Sequence, residues 1–133
     1  KRRPELVADK GNVQAMLAAK DGAVINALSP QLFTGKSDLG YGRPGRIAGS
    51  VNLSSLGLID QDSGTYLTEA ALRQAVQDSL GNFGDAAICY CGGGIAATMD
   101  ALVLDLLGYE NVSVYDASLQ EWAADDDLPM QTG

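Results

Sequence analysis

Ala86-Ala87-Ile88-Cys89-Tyr90-Cys91-Gly92-Gly93-Gly94-Ile95-Ala96-Ala97 is the stretch on which the reading turns. Its first half is uncharged and apolar, and reads as a buried strand. Three glycines break the run. After them Ile95, Met99, Leu102, Val103, Leu106 and Leu107 recur at helical spacing on one face, and Gly108 supplies the stop. A strand that feeds a glycine turn and then a helix places that turn at the carboxyl edge of a sheet, where open α/β sheets hold their ligands. The backbone N–H groups of Gly92, Gly93, Gly94, Ile95 and Ala96 can curl around an anion there, and the helix adds the positive end of its dipole. Cys91 stands at the mouth of this cradle. Such a cradle favours thiolate over thiol and so activates a nucleophile.

Outward from this unit, strands and helices alternate. Val13–Ala19 reads as a short helix stopped by Asp21-Gly22, and Ala23–Leu28 as a buried strand closed by Ser29-Pro30. Residues 34–49, rich in glycine, read as a long irregular loop, and Ser50–Leu53 as a second short strand. Thr68 is placed as the N-cap of a helix reaching about Leu80, with Leu67 and Leu72 as a hydrophobic staple. Val112–Tyr115 is a further strand, followed by a short segment around Trp122 and an acidic tail, Asp125-Asp126-Asp127. The pattern predicts an α/β fold: a mostly parallel sheet of about five strands with helices on both faces. Residues 1–11 read as a polar linker or tail, and 12–133 as one domain.

The 133 residues suit one domain with one proper core. With 46% hydrophobic and 20% charged residues the composition is that of a globular protein. A net charge of −8 argues against nucleic acid and anionic membranes as partners. No apolar run approaches a membrane span and none resembles a signal segment, which favours a cytoplasmic location. Histidine is absent, which excludes Ser-His-Asp and Cys-His catalysis and His-ligated zinc within this chain. Two cysteines supply too few ligands for a structural metal.

Other readings compete at each motif. Cys91 is alternatively a structural cysteine beside a tight turn. Cys89, two residues back in the strand, reads as inert packing, because strand neighbours two apart lie near the upper limit of disulfide reach. A cysteine phosphatase needs an arginine six positions after its nucleophile, and Ala97 occupies that place. Gly92-x-Gly94-x-x-Ala97 with Asp116 beyond the next strand matches a dinucleotide fingerprint, yet too little chain follows to finish a Rossmann half. Asp60-Gln61-Asp62-Ser63-Gly64 has the look of a calcium loop without its later acids, and reads as a turn.

Three segments, in order, resemble the rhodanese (sulfurtransferase) family over nearly the whole chain. Gly45-Arg46-Ile47-Ala48-Gly49-Ser50-Val51-Asn52 resembles its G-[HR]-I-P-G-A-x-N segment. Ile88–Ala97 resembles its strand and active-site loop, with Cys91 in the nucleophile's place. Leu107-Gly108-Tyr109-x-Asn111-Val112-x-Val114-Tyr115-Asp116-x-Ser118-x-x-Glu121-Trp122 resembles its carboxyl-terminal signature. Arg3-Pro4-Glu5-Leu6 is similar to the linker before the second, catalytic domain of tandem thiosulfate or 3-mercaptopyruvate sulfurtransferases, so a preceding rhodanese-like domain is an implied partner.

The resemblance implies sulfur transfer through a Cys91 persulfide, from thiosulfate or a mercapto-acid to a thiol or cyanide, without metal or cofactor. A sulfur carrier or partner-binding module without efficient turnover is the alternative. Departures from the family bear on the donor. Asn26-Ala27-Leu28 stands where the family has D-x-R, so its arginine anchor is missing. The loop lacks both the lysine of thiosulfate enzymes and the serine of mercaptopyruvate enzymes. One lost charged contact costs roughly 1.5–3 kcal/mol, so weak thiosulfate turnover or another donor is expected. Arg46, Arg43 and Lys36 are the candidate replacements for donor contact, against structural or solvated roles for each.

Overall fold

The computed structural model describes residues 3–84 and 86–133. The strands are β1 (Val7–Ala8), β2 (Ala23–Asn26), β3 (Arg46–Ile47), β4 (Val51–Asn52), β5 (Ala86–Tyr90), β6 (Asn111–Tyr115) and β7 (Met130–Gln131). Five of them form one sheet in the order β1-β6-β5-β2-β4, and every pairing in it is parallel. The remaining two, β3 and β7, form a separate antiparallel ribbon. The helices are α1 (Lys10–Ala19), α2 (Pro30–Thr34), α3 (Glu69–Leu80), α4 (Ile95–Leu106) and α5 (Ser118–Trp122). This is the expected α/β architecture. Its strand order is not the 3-2-1-4-5-6 arrangement of the dinucleotide fold, which removes the fingerprint's structural context.

Strand alternation divides the core in two. Ala23, Ile25, Ala87, Cys89 and Cys91 point to a cluster completed by Leu72 and Val76 of α3 and by Val103 and Leu104 of α4. Val24, Ile88 and Tyr90 point the other way, to Val13 of α1, Tyr115 and Trp122. Both faces are therefore covered, which is why the central strands are nearly free of charge. Thr68 caps α3 as expected, its Oγ1 accepting the Ala71 N–H at 3.3 Å. Asp60 closes a turn, accepting the N–H groups of Asp62 and Ser63 on its carboxylate, and no metal-binding group of acids occurs among the described residues.

Several expectations give way. Lys1 and Arg2 of the expected linker lie outside the described residues. Its later part is built into the domain: Val7–Ala8 extends the sheet beside β6, and Asp9 caps α1 with a reciprocal box to Asn12. The expected loop over 34–49 contains β3, and α2 precedes it where Ser29 and Pro30 start a helical turn. The acidic tail turns back, so that β7 pairs with β3 and Trp122 Nε1 donates to the Pro129 carbonyl at 3.0 Å.

The largest correction concerns α4. Val103 and Leu107 are buried, but Ile95 is 85% exposed, Leu106 63% and Leu102 45%, and Met99 is half-buried. The face that meets the sheet carries Ala97, Asp100, Val103 and Leu104. No described helix is long and apolar enough to cross a membrane.

Candidate active site

β5 ends at the glycines with its last side chains fixed by the neighbouring strands. Tyr90 turns away from the site and anchors the Gly45–Asn52 segment. Its hydroxyl accepts from Asn26 Nδ2 and the Ile47 N–H, each at 3.0 Å, and lies 2.7 Å from Ser50 Oγ. Ser50 Oγ donates to the Ile47 carbonyl at 2.7 Å, so the tyrosine proton points at Ser50. Burial pushes the Tyr90 hydroxyl above the usual phenol range. Asn26, at the position of the D-x-R aspartate, is wholly buried, and its carboxamide oxygen accepts the Leu28 N–H at 2.8 Å. Asn52 Nδ2 then donates to the carbonyls of Asn26 and Leu28. The turn that carries the family's D-x-R is thus held by side-chain amides, and Leu28, where its arginine stands, presents a half-buried apolar side chain.

Cys91 leaves the opposite face of the strand and is 3% exposed. Its own N–H donates to Ser118 Oγ at 3.1 Å, and that hydroxyl donates to the Tyr115 carbonyl at 2.8 Å. The carbonyls of Cys91 and Gly92 accept the N–H groups of Leu119 and Gln120 at 3.1 and 3.0 Å. Ser118 holds a left-handed φ of 53° to make this contact. The signature segment after β6 is therefore the clamp that fixes the backbone at Cys91. Spacing alone gives Ser118 no role, because it does not show that the two β–α turns lie side by side.

The loop then wraps its sulfur. Gly94 N–H donates to Cys91 Sγ at 3.0 Å, and Gly94 is the N-cap of α4 at φ 95°. A Cβ on Gly94 would lie 2.6 Å from Asp116 Oδ1 and 2.7 Å from the Asp116 carbonyl. Glycine is required there on both counts. α4 has no side-chain cap, so its first amides remain free to meet an anion beside the sulfur. Gly92 and Gly93 lie on the same loop, and Ile95 and Ala96 open the first turn of the helix. An amide N–H and the start of a helix thus face this sulfur, an arrangement that can hold an anion bound there.

Cys89 has the opposite surroundings. Burial first, and then the nearby Asp100 carboxyl, push its thiol well above the usual range. Asp100 itself is wholly buried, neither of its oxygens has a hydrogen-bond partner among the described residues, and burial pushes its carboxyl up to about 8. Both cysteines are free thiols.

The three candidate cations do not converge on Cys91. Arg43 donates to the carbonyls of Trp122, Ala123 and Asp125 at 2.6–3.1 Å and ties the loop to the end of α5. Arg46 donates to the carbonyls of Phe33 and Gly133 and lies 4.3 Å over the Phe33 ring. An exposed side chain is all that Lys36 presents. The side chains nearest the three glycines are instead Leu39, Tyr41, Gln120 and Asp116. Glu121, also in the signature, accepts the Tyr115 hydroxyl at 2.6 Å, and Trp122 is buried, so both hold the clamp rather than the sulfur.

Residues 10–125 match the model of the rhodanese-like domain. The thiosulfate/3-mercaptopyruvate sulfurtransferase 2 of Arabidopsis thaliana is 32% identical over 132 residues, covering 98% of this chain and 38% of that protein. The thiosulfate sulfurtransferase of Corynebacterium glutamicum is 31% identical over 118 residues, covering 83% and 38%. The chain thus spans about two fifths of the length of the curated relatives it matches. Among solved structures, an anaerobic ergothioneine biosynthesis enzyme from Chlorobium limicola superposes with a TM-score of 0.85 at 24% identity, over 98% of this chain and 33% of the other. Tum1 from Saccharomyces cerevisiae superposes with a TM-score of 0.81 at 23% identity, over 96% and 47%. The chain belongs to the rhodanese-like domain family, and the curated relatives named here are sulfurtransferases.

Proposed function

We propose that this chain is a sulfurtransferase domain that carries sulfane sulfur as a persulfide on Cys91. The single observation that carries the reading is the Gly94 N–H on Cys91 Sγ at 3.0 Å, inside a glycine loop that opens α4. In the first half-reaction the Cys91 thiolate attacks the outer sulfur of a small donor. With thiosulfate the sulfur–sulfur bond breaks, sulfite leaves with the electron pair, and Cys91–S–S⁻ remains. In the second, cyanide or a thiol attacks the terminal sulfur and Cys91 returns as thiolate. Charge stays on sulfur throughout, beside the same amides, so no proton relay is required. This suits a chain without histidine.

Thiosulfate and 3-mercaptopyruvate are the donors to compare, with cyanide or a thiol as acceptor. Since the curated relatives are longer, a preceding rhodanese-like domain completing the donor pocket belongs to the same proposal. Thiocyanate formation from cyanide is the test, with each donor in turn and with Cys91→Ser alongside. The reading expects product that depends on Cys91, and weak turnover of thiosulfate in particular. Equal turnover by Cys91→Ser contradicts it.

A carrier or partner-binding role is the second reading. It is favoured by the engagement of Arg43 and Arg46 with backbone carbonyls rather than with the Cys91 loop. Loading of Cys91 without release to any small acceptor is the outcome that selects it.

A further inference from the structure

The three glycines of the loop have different neighbours. Gly92 is roofed: a Cβ there would lie 2.9 Å from the Tyr41 ring, 3.0 Å from Leu39 Cδ1 and 3.2 Å from the Tyr41 hydroxyl. Any side chain at this position would meet Tyr41 and Leu39. Gly93 has ordinary space, and its nearest neighbour is the Gln120 carboxamide, 3.5 Å from where a Cβ would stand. Two uncharged hydrogen-bonding groups from separate elements, the 35–45 loop and α5, therefore end beside successive glycines of the Cys91 loop. Neither the Tyr41 hydroxyl nor the Gln120 carboxamide has a hydrogen-bond partner among the described residues. Position 120 is also one that the carboxyl-terminal signature leaves open.

Charge at the same place is unfavourable to a dianion. Arg43 and Arg46 are spent on backbone carbonyls, and the Asp116 carboxylate packs against Gly94. A sulfonate entering here loses water and gains amide hydrogen bonds from the loop but no cation side chain. A donor that presents only a sulfur to the cradle, with a polar uncharged contact for the rest, meets no such deficit.

We propose that Gln120 and Tyr41 are the specificity-determining residues of the donor site, hydrogen-bonding the carrier part of an organic persulfide in preference to a sulfonate such as thiosulfate. The inference rests on the sulfurtransferase reading of Cys91. The step balances as Cys91–S⁻ + R–S–SH → Cys91–S–SH + R–S⁻. The donor's sulfur–sulfur bond breaks, a new one forms at Cys91, and the carrier thiolate leaves with the electron pair, with no oxidant or reductant consumed.

The test follows the rate of Cys91 persulfide formation by rapid-quench intact mass, over a range of cysteine persulfide and, separately, thiosulfate concentrations. Wild type, Gln120→Ala, Gln120→Lys and Tyr41→Phe are compared. Tyr41→Phe keeps the ring over Gly92 and removes only the hydroxyl. The half-saturating cysteine persulfide concentration should rise about tenfold in Gln120→Ala and Tyr41→Phe, with the maximal rate within about twofold. Gln120→Lys should lower the half-saturating thiosulfate concentration about tenfold, a gain that fades at high salt. Unchanged concentration dependence in all three variants, with Cys91 still loading, overturns the proposal alone. Failure of both donors to load Cys91 in the wild type overturns the sulfurtransferase reading and this inference with it.

Discussion

Cys89 and Cys91 leave β5 on the same face, two residues apart, and both are almost wholly buried. Their surroundings are nonetheless opposite. Cys91 receives an amide hydrogen bond at the start of α4, whereas Cys89 faces, in the second turn of the same helix, a buried carboxyl with no hydrogen-bond partner among the described residues. Burial by itself therefore says little about a thiol's reactivity. What separates the pair is which end of α4 each one meets: free N–H groups at its start, an acid on its flank.

The comparison can be broken most forcefully by exchanging the roles of the two thiols. Cys91→Ser should abolish sulfur transfer, a loss of at least ~10³-fold in turnover. Cys89→Ala should leave the rate within about twofold and cost about 1 kcal/mol of stability for the lost core volume. Turnover and denaturant midpoints of both variants decide this.

Next in size is the acid beside Cys89. The Asp100 carboxyl is pushed up to about 8 in the folded chain from an ordinary 3.8, so the fold keeps a proton that the unfolded chain has lost. Stability should therefore fall as pH rises from about 4 to about 8 and level off above, by an amount of order 2–5 kcal/mol. Asp100→Asn removes the slope. In urea titrations the variant should exceed wild type at pH 8, and the gap should close toward pH 4.

Smaller effects sharpen the other side of the comparison. Gly94→Ala forces a Cβ against Asp116 at a φ of 95° and should slow Cys91 loading about 10²-fold, with about 2–3 kcal/mol lost from stability. Gly93→Ala, which meets only ordinary contact, should stay within about threefold in the same loading assay. Ser118→Ala leaves the buried Cys91 N–H without its partner and should cost about 1–2 kcal/mol in thermal or urea unfolding.

How much of this was legible in the sequence depends on the kind of signal. The strand, the glycines and the helix after them could be read because a charge-free run, a break and a periodic segment follow one another. Which face of α4 is buried could not. That helix is apolar on nearly every side, so Ile95, Met99, Leu102 and Leu106 form as regular a stripe as the residues that actually meet the sheet. Asp100 made the true inner face look like the outer one. Strands of two residues, such as β1, β3 and β7, carry no period and exist only through their partners. The fates of Arg43 and Arg46 were equally hidden. Each binds carbonyls about 80 or more residues later, a contact that the chain's return after Trp122 creates. Ser118 and Gln120 belong to the same class. Their place beside Cys91 follows from β5 and β6 being neighbours in the sheet.

The most direct test of the central claim is peptide-mapped mass spectrometry of the protein after exposure to a sulfane-sulfur donor, before and after cyanide. The account predicts one added sulfur on the peptide bearing both cysteines, removed by cyanide, retained in Cys89→Ala and absent in Cys91→Ser. An added sulfur that persists in Cys91→Ser and disappears in Cys89→Ala would contradict it.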